Sequence, residues 1–96
     1  MTAPTKTEAK EIVMELLEHG LIACANILPG AESFYVWNEE IQHEKEVVVI
    51  FKANTKNEAQ IIKIVRKIHS YECPCIVFVP IANGSADFLK WVKESC

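Results

Sequence analysis

The segment Ala3-Pro4-Thr5-Lys6-Thr7-Glu8-Ala9 returns fifty residues later as Ala53-Asn54-Thr55-Lys56-Asn57-Glu58-Ala59, and each copy leads into an apolar helix pattern and then a strand pattern. Few folds accommodate two related strand-helix-strand halves in one short chain. Right-handed crossovers place both helices on one face of a shared antiparallel sheet, which is the α+β, ferredoxin-like βαββαβ sandwich. The repeat also exposes a gap, because Glu46 to Lys52 precede the second copy whereas only Met1 and Thr2 precede the first. The N-terminal strand therefore reads as truncated, with the natural start expected upstream or the partial strand completed within an oligomer. In the ferredoxin-like order that strand is central, and each backbone group left unpaired there costs about 1–3 kcal/mol.

Thr5-Lys6-Thr7-Glu8 is a capping box, and Ala9, Ile12, Val13, Leu16 and Leu17 recur at helical spacing before Gly20 stops the run. Leu21 to Leu28 is an apolar segment closed by Pro29-Gly30, and Ser33 to Trp37 is a strand by its aromatic and β-branched content. Alternation sends Phe34 and Val36 to one face, Tyr35 and Trp37 to the other. A sheet with helices on one side has no internal use for the second pair, so Tyr35 and Trp37 are expected to meet another subunit. After the polar turn Asn38-Glu39-Glu40, Ile41 to Ala53 forms a long strand whose Val47-Val48-Val49-Ile50-Phe51 run implies cover on both faces. Thr55-Lys56-Asn57-Glu58 is a second capping box. It opens a helix with Ile61, Ile62, Ile64, Val65 and Ile68 on its buried side and His69 at its end. Tyr71 to Pro74 turns, Cys75 to Val79 is a buried strand stopped by Pro80, and Ala86 to Ser95 is an extra C-terminal helix with Phe88, Leu89, Trp91 and Val92 inward.

With 96 residues, no Pro/Gly/Ser-rich linker and no low-complexity stretch, residues 1–96 read as a single domain. So short a chain buries only about 60–65% of the surface its unfolded form exposes, which favours a partner subunit. Ten basic against thirteen acidic side chains leave a net charge of -3 with the basic residues scattered, an argument against nucleic acid. The longest apolar run, Val47 to Phe51, falls far short of the roughly 18 residues that span a bilayer, and the N-terminus has no leader-like pattern. No membrane partner is expected, and the location reads as cytoplasmic. Cys24, Cys73, Cys75 and Cys96 are then reduced thiols.

The densest set of reactive groups is His69-Ser70-Tyr71-Glu72-Cys73-Pro74-Cys75, at a helix-to-strand turn. Thiolate and imidazole together suit copper or zinc. Cys-Pro-Cys, however, lacks the C-x-x-C spacing and has no matched second pair, so Cys73 and Cys75 read as small buried side chains. His69 either complements the helix dipole or belongs to a site. Glu46 and Lys52 bracket the apolar part of their strand, as charges do where a strand reaches water, and His19 and His43 read as solvated. No P-loop, G-x-G-x-x-G or G-x-S-x-G occurs, and no nucleophile has a base at catalytic spacing. The chain reads as non-catalytic, with no organic cofactor.

Over essentially its whole length the sequence resembles the CutA divalent-cation tolerance family, beginning inside that family's first strand. Leu21-Ile22-Ala23-Cys24-Ala25-Asn26-Ile27 is similar to its L-A-A-C-x-N-I segment, Ser33 to Trp37 to its S-x-Y-x-W strand, and His69 to Pro74 to its H-P-Y-E-x-P turn. Asn83, Asp87, Leu89 and Trp91 fit its closing pattern, with Phe88 replacing a Tyr. The resemblance implies a homotrimer of ferredoxin-like subunits, similar in architecture to PII signalling proteins, with a role in tolerance of copper and other divalent cations. It further implies inter-subunit clefts gathering Tyr35, Trp37, Lys52, His69, Tyr71, Glu72 and Trp91. Copper ligands proposed for the family are a Cys in the first strand and adjacent His residues before the Tyr turn. Met1, Ile68 and His69 stand there in this chain, so His69 is the one implied metal ligand that is kept. The alternative implied function is a PII-like signalling module that binds a small anionic ligand in the cleft, where Lys52 and His69 supply charge.

Overall fold

The computed structural model describes residues 1–96. Helix α1 spans Lys6–Glu18 because both of its ends are satisfied locally. Thr5 Oγ1 accepts the Glu8 N–H at 3.1 Å. At the other end Gly20, at φ 65°, lets the Gly20 and Leu21 amides turn back onto the Leu17 and Leu16 carbonyls, both at 3.0 Å. Ala9, Ile12, Val13 and Leu16 are its buried stripe.

The sheet has three strands in the order β1-β3-β2, with β1 Thr2–Ala3, β2 Cys24–Trp37 and β3 Glu40–Lys52, all paired antiparallel. The expected break at Pro29-Gly30 is absent. These two residues instead oppose Val47 alone as a bulge inside one continuous strand, and Gly30 (φ 84°) supplies the backbone freedom. The bulge shifts the alternation by one. Cys24, Asn26 and Leu28 before it therefore share a face with Ala31, Ser33, Tyr35 and Trp37 after it. Asn38 (φ 50°) and Glu39 (φ 66°) form the tight turn into β3, the two-residue geometry that matches strand twist.

Helix α2, Glu58–Ile68, follows a 3-10 turn at Thr55–Asn57. The second capping box does not form: the chain tightens into the 3-10 turn and the Glu58 N–H goes to the Thr55 main-chain carbonyl instead of its hydroxyl. The buried Asn57 side chain serves the core, its amide donating to the Leu21 carbonyl at 3.2 Å. Helices α1 and α2 cover one face of the sheet, where Ile12, Leu16, Ile61 and Val65 pack with Ala3, Ile22, Val47 and Val49. The opposite face is open. Val47 and Val49 are buried but Ile50 is 51% exposed, so the central strand is covered on one side within the subunit, not on both as its sequence implies.

Residues 75–79 run extended beyond β1 without forming a strand ladder, joined by one bond from the Thr2 amide to the Cys75 carbonyl at 3.3 Å. A two-residue β1 offers little edge to pair with. The placement still puts the edge strand β1 between β3 and this segment, in line with the ferredoxin-like order. Ile76 and Phe78 pack against the core from this segment, while Cys73, Cys75, Val77 and Val79 are exposed. Helix α3, Ala86–Ser95, buries Val92 and leaves Phe88 and Trp91 exposed, so only part of its expected inward face has a partner in the subunit. The Asn54 side chain holds its end, donating to the Lys93 and Cys96 carbonyls at 3.3 and 2.9 Å.

Candidate functional site

The turn after α2 is the most connected polar region of the chain. His69 is 7% exposed, with its ring between β1 and the turn. Its Nε2 lies 2.8 Å from the Thr2 carbonyl, and its Nδ1 lies 3.1 Å from the Tyr71 amide nitrogen. A carbonyl can only accept and an amide N–H can only donate, so the ring is neutral, with the proton on Nε2 and the Nδ1 lone pair taken by Tyr71. Glu8 approaches from α1, its Oε2 accepting from the Ser70 amide at 3.1 Å and hydroxyl at 3.0 Å and lying 3.4 Å from His69 Nδ1. Thus the acid of the first capping box serves the turn, not its own helix end.

From that anchor Tyr71 reaches the open face of the sheet, where its hydroxyl donates to Glu46 Oε2 at 2.9 Å. Glu46 is itself buried, and Glu44 and Tyr35 stand beside it on the same face. Loss of solvation, then the hydrogen bond to Glu46, then the charges of Glu46 and Glu44 hold the Tyr71 phenol well above its ordinary range. Tyr35 is raised as well, by partial desolvation first and then by its hydrogen bond with Glu44. The Tyr71–Glu46 bond is thus the phenol-carboxylate contact of this face, with Glu44 and Tyr35 alongside it. A raised phenol pKa keeps its stabilising contribution below pH about 10, where an unfolded tyrosine begins to ionise, and loses it as pH rises further. The chain has two tyrosines. Alkaline ultraviolet titration of the native protein therefore shows neither phenol ionising at its ordinary pH, while Glu46→Gln moves the Tyr71 transition downward. A wild-type curve that superimposes on free tyrosine would refute the network.

The seven residues implied for a cleft do not converge within one subunit. His69 and Tyr71 touch, with ring centroids 4.8 Å apart, and Tyr35 lies on the same sheet face as Glu44 and the Glu46 that Tyr71 binds. Trp37 lies farther along the same face near the hairpin turn, and Glu72 is exposed beside Tyr71. Lys52 lies about 20 Å along β3 from Glu46, at roughly 3.4 Å per residue. There its Nζ donates to Asn26 Oδ1 at 2.6 Å. It borders a groove of about 640 Å³ whose far wall includes Leu89 and Val92 of α3 and Val79. Trp91 stacks loosely on Phe88 on the outer side of α3, centroids 5.7 Å apart. Lys52 and His69 therefore do not act on one ligand in the subunit.

His69 also bears on copper. Both ring nitrogens are in use, so the ring as placed presents no free lone pair. No group of three or more His, Cys, Asp or Glu side chains is positioned to share a metal ion. A copper centre built on His69 thus does not fit the residues around it. Cys73 and Cys75, expected to be buried, are exposed because Ile76 and Phe78 take the inward positions. His19 and His43 are exposed as expected, the latter stacked on Phe34 at 4.2 Å.

Sequence reasoning missed Glu8 and Glu44 and set Glu46 aside. For Glu46 a signal existed, since in β3 it shares the parity of Lys52 and Glu44. For Glu8 there was none, because an acid at that position of a capping box reads as local.

Comparison with known proteins agrees with this architecture. The family model described as CutA1 divalent ion tolerance protein matches residues 1–95. The divalent-cation tolerance protein CutA of Yersinia pestis (strain Pestoides F) is 33% identical over 94 residues, spanning 98% of this chain and 79% of the relative. Among solved structures, the divalent cation tolerance protein Cut A1 of Thermus thermophilus superimposes with a TM-score of 0.95 at 35% identity, covering 98% of this chain and 91% of the other. The periplasmic divalent cation tolerance protein CutA of Archaeoglobus fulgidus gives 0.94 at 39% identity with the same coverage, 98% and 91%. On the family match and the shared ferredoxin-like fold, the chain belongs to the CutA1 divalent ion tolerance family.

Proposed function

We propose that residues 1–96 act as one CutA-like domain, a non-catalytic homotrimer that serves tolerance of divalent cations and binds such ions, copper among them, weakly. Membership of the divalent ion tolerance family carries the metal reading. The trimer is supported by what the subunit leaves uncovered. Ile50, Leu28 and the aromatic end of the β2-β3 hairpin are exposed on a molecule 45 Å long but only 26 × 21 Å across. The projecting hairpin supports an assembly in which Tyr35 and Trp37 of one subunit meet the Lys52 and Trp91 end of the next, so that cleft residues separated within one chain come together between two. In such a cleft His69, Tyr71 and Glu72 form one wall, with His69 a hydrogen-bonding post that fixes Tyr71.

No helix is long and apolar enough to cross a membrane. The proposed location is the cytoplasm, where four unpaired thiols remain reduced. Native mass spectrometry of the reduced protein, titrated with copper(II) and zinc, tests assembly and binding together. The expected spectrum is a trimer that saturates at whole numbers of ions. A monomer at micromolar concentration defeats the assembly, and uptake that never saturates defeats specific binding.

A further inference from the structure

We propose that Cys73 and Cys75 form a two-thiolate site for a soft monovalent cation of the Cu(I) class, one ion per chain. The proposal deepens the metal-binding reading above and rests on it only for the choice of a metal as ligand.

Exposure alternates strictly along this segment. Cys73, Cys75, Val77 and Val79 are exposed, whereas Pro74, Ile76 and Phe78 are partly buried. That is the period-two pattern of an extended chain, so the two thiols stand on one side of it. The backbone between them is stiff: the ring of Pro74 fixes its own φ and confines Cys73 to extended conformations. The segment is also tied down. Ile76 and Phe78 pack against the core, Phe78 lies edge-on to Phe51 with centroids 6.5 Å apart, and the Cys75 carbonyl accepts from Thr2. The thiols are thus presented to solvent on a fixed support, and the ordering cost of bringing two donors together is largely met by the fold.

The spacing favours a bridging ion over a disulfide. Residues i and i+2 of an extended chain place their Cα atoms about 6.6–7 Å apart. Disulfides prefer about 5.5–6 Å. Two metal-thiolate bonds of about 2.3 Å, the zinc-sulfur value, hold sulfurs as much as ~4.6 Å apart, so an ion relaxes the demand on the backbone. Donor count then selects the ion. Zinc takes four ligands, and no third His, Cys, Asp or Glu is positioned to join a metal here. A soft d10 monovalent ion is satisfied by two thiolates, and thiolate softness selects Cu(I) over hard divalent cations. On binding, each thiol releases its proton to buffer and donates a sulfur lone pair, with no change in oxidation state. Affinity accordingly falls as pH is lowered.

Titration of the full-length reduced protein with Cu(I), under anaerobic conditions and against a chromogenic Cu(I) chelator, tests this. Wild type is expected to retain one Cu(I) per chain. Cys73→Ser/Cys75→Ser loses that affinity by more than the ~10–100-fold typical of removing an outer-shell partner. Both residues are exposed, so the variant keeps the wild-type circular dichroism and melting temperature. Cys24→Ser/Cys96→Ser retains wild-type Cu(I) affinity. Undiminished Cu(I) binding by the Cys73→Ser/Cys75→Ser variant overturns the proposal while leaving metal binding by the protein intact. Wild-type protein that takes up neither Cu(I) nor a divalent ion overturns both. Cu(I) held by the pair with no divalent uptake upholds the site and removes the divalent reading.

Discussion

His69→Ala lowers the unfolding free energy by about 2–5 kcal/mol, a large change for one residue outside the apolar core. The imidazole is the sole hydrogen-bond partner shown for the Tyr71 amide, and it also satisfies the Thr2 carbonyl. Alanine leaves both part-buried main-chain groups without this partner, and an unpaired buried group costs about 1–3 kcal/mol. The loss spreads in two directions. Without the bond to Thr2, a two-residue β1 has less to hold it against β3, and without the bond to Tyr71 the turn no longer aims the phenol at Glu46. At about 4–8 °C per kcal/mol for a domain of this size, the melting temperature falls by about 8 °C or more at matched protein concentration. His69→Gln, which keeps a donor and an acceptor, recovers part of the loss. A change below about 0.5 kcal/mol for His69→Ala in a denaturant titration would show that the ring does not carry this junction.

That junction also shows where sequence reasoning stops. The helices, the long β3 and the two-halved plan follow from local periodicity and from the repeat, and α1 is bounded where Thr5 and Gly20 place it. Non-local details do not follow. Pro29-Gly30 has the composition of a turn, yet because β3 runs on opposite both flanking segments the pair is absorbed as a bulge. Thr55 and Glu58 have a capping spacing, yet the chain tightens there into a 3-10 turn and the Glu58 N–H goes to the Thr55 carbonyl, while Asn57 between them serves a carbonyl 36 residues away in sequence. The strand expected at Cys75 to Val79 has the right residues but too short a neighbour to pair with. For the site, His69 and Tyr71 were legible as a reactive cluster. Their roles were not, since the protonation state of His69 is dictated by Thr2, 67 residues away, and by a main-chain amide that no side-chain pattern reveals. The buried reading of Cys73 and Cys75 failed for a similar reason, because only the alternation with Ile76 and Phe78 decides which side of the segment reaches water.

On the open face of the sheet, Ile50→Glu converts the proposed trimer into monomers that retain their secondary structure. Ile50 is 51% exposed in the subunit, paired across the strands with Asn26 and flanked by the Leu28-Val48 pair, so its side chain is free to carry a charge in water. Within an assembly that buries this face the same charge has no partner. Desolvating an unpaired carboxylate costs several kcal/mol, and closed symmetry repeats the cost at every copy of the interface. The monomer survives because Ile12, Leu16, Ile61 and Val65 form the core on the opposite face and do not touch the substitution. Met14→Glu is the matched control: Met14 is 53% exposed on α1, on the helical side, and a charge there leaves the assembly unchanged. Sedimentation of the two variants beside wild type at equal concentration separates the outcomes. A trimer that persists in Ile50→Glu would mean that this face stays in water, and the apolar strip of Leu28, Val48 and Ile50 would then need another explanation than self-association.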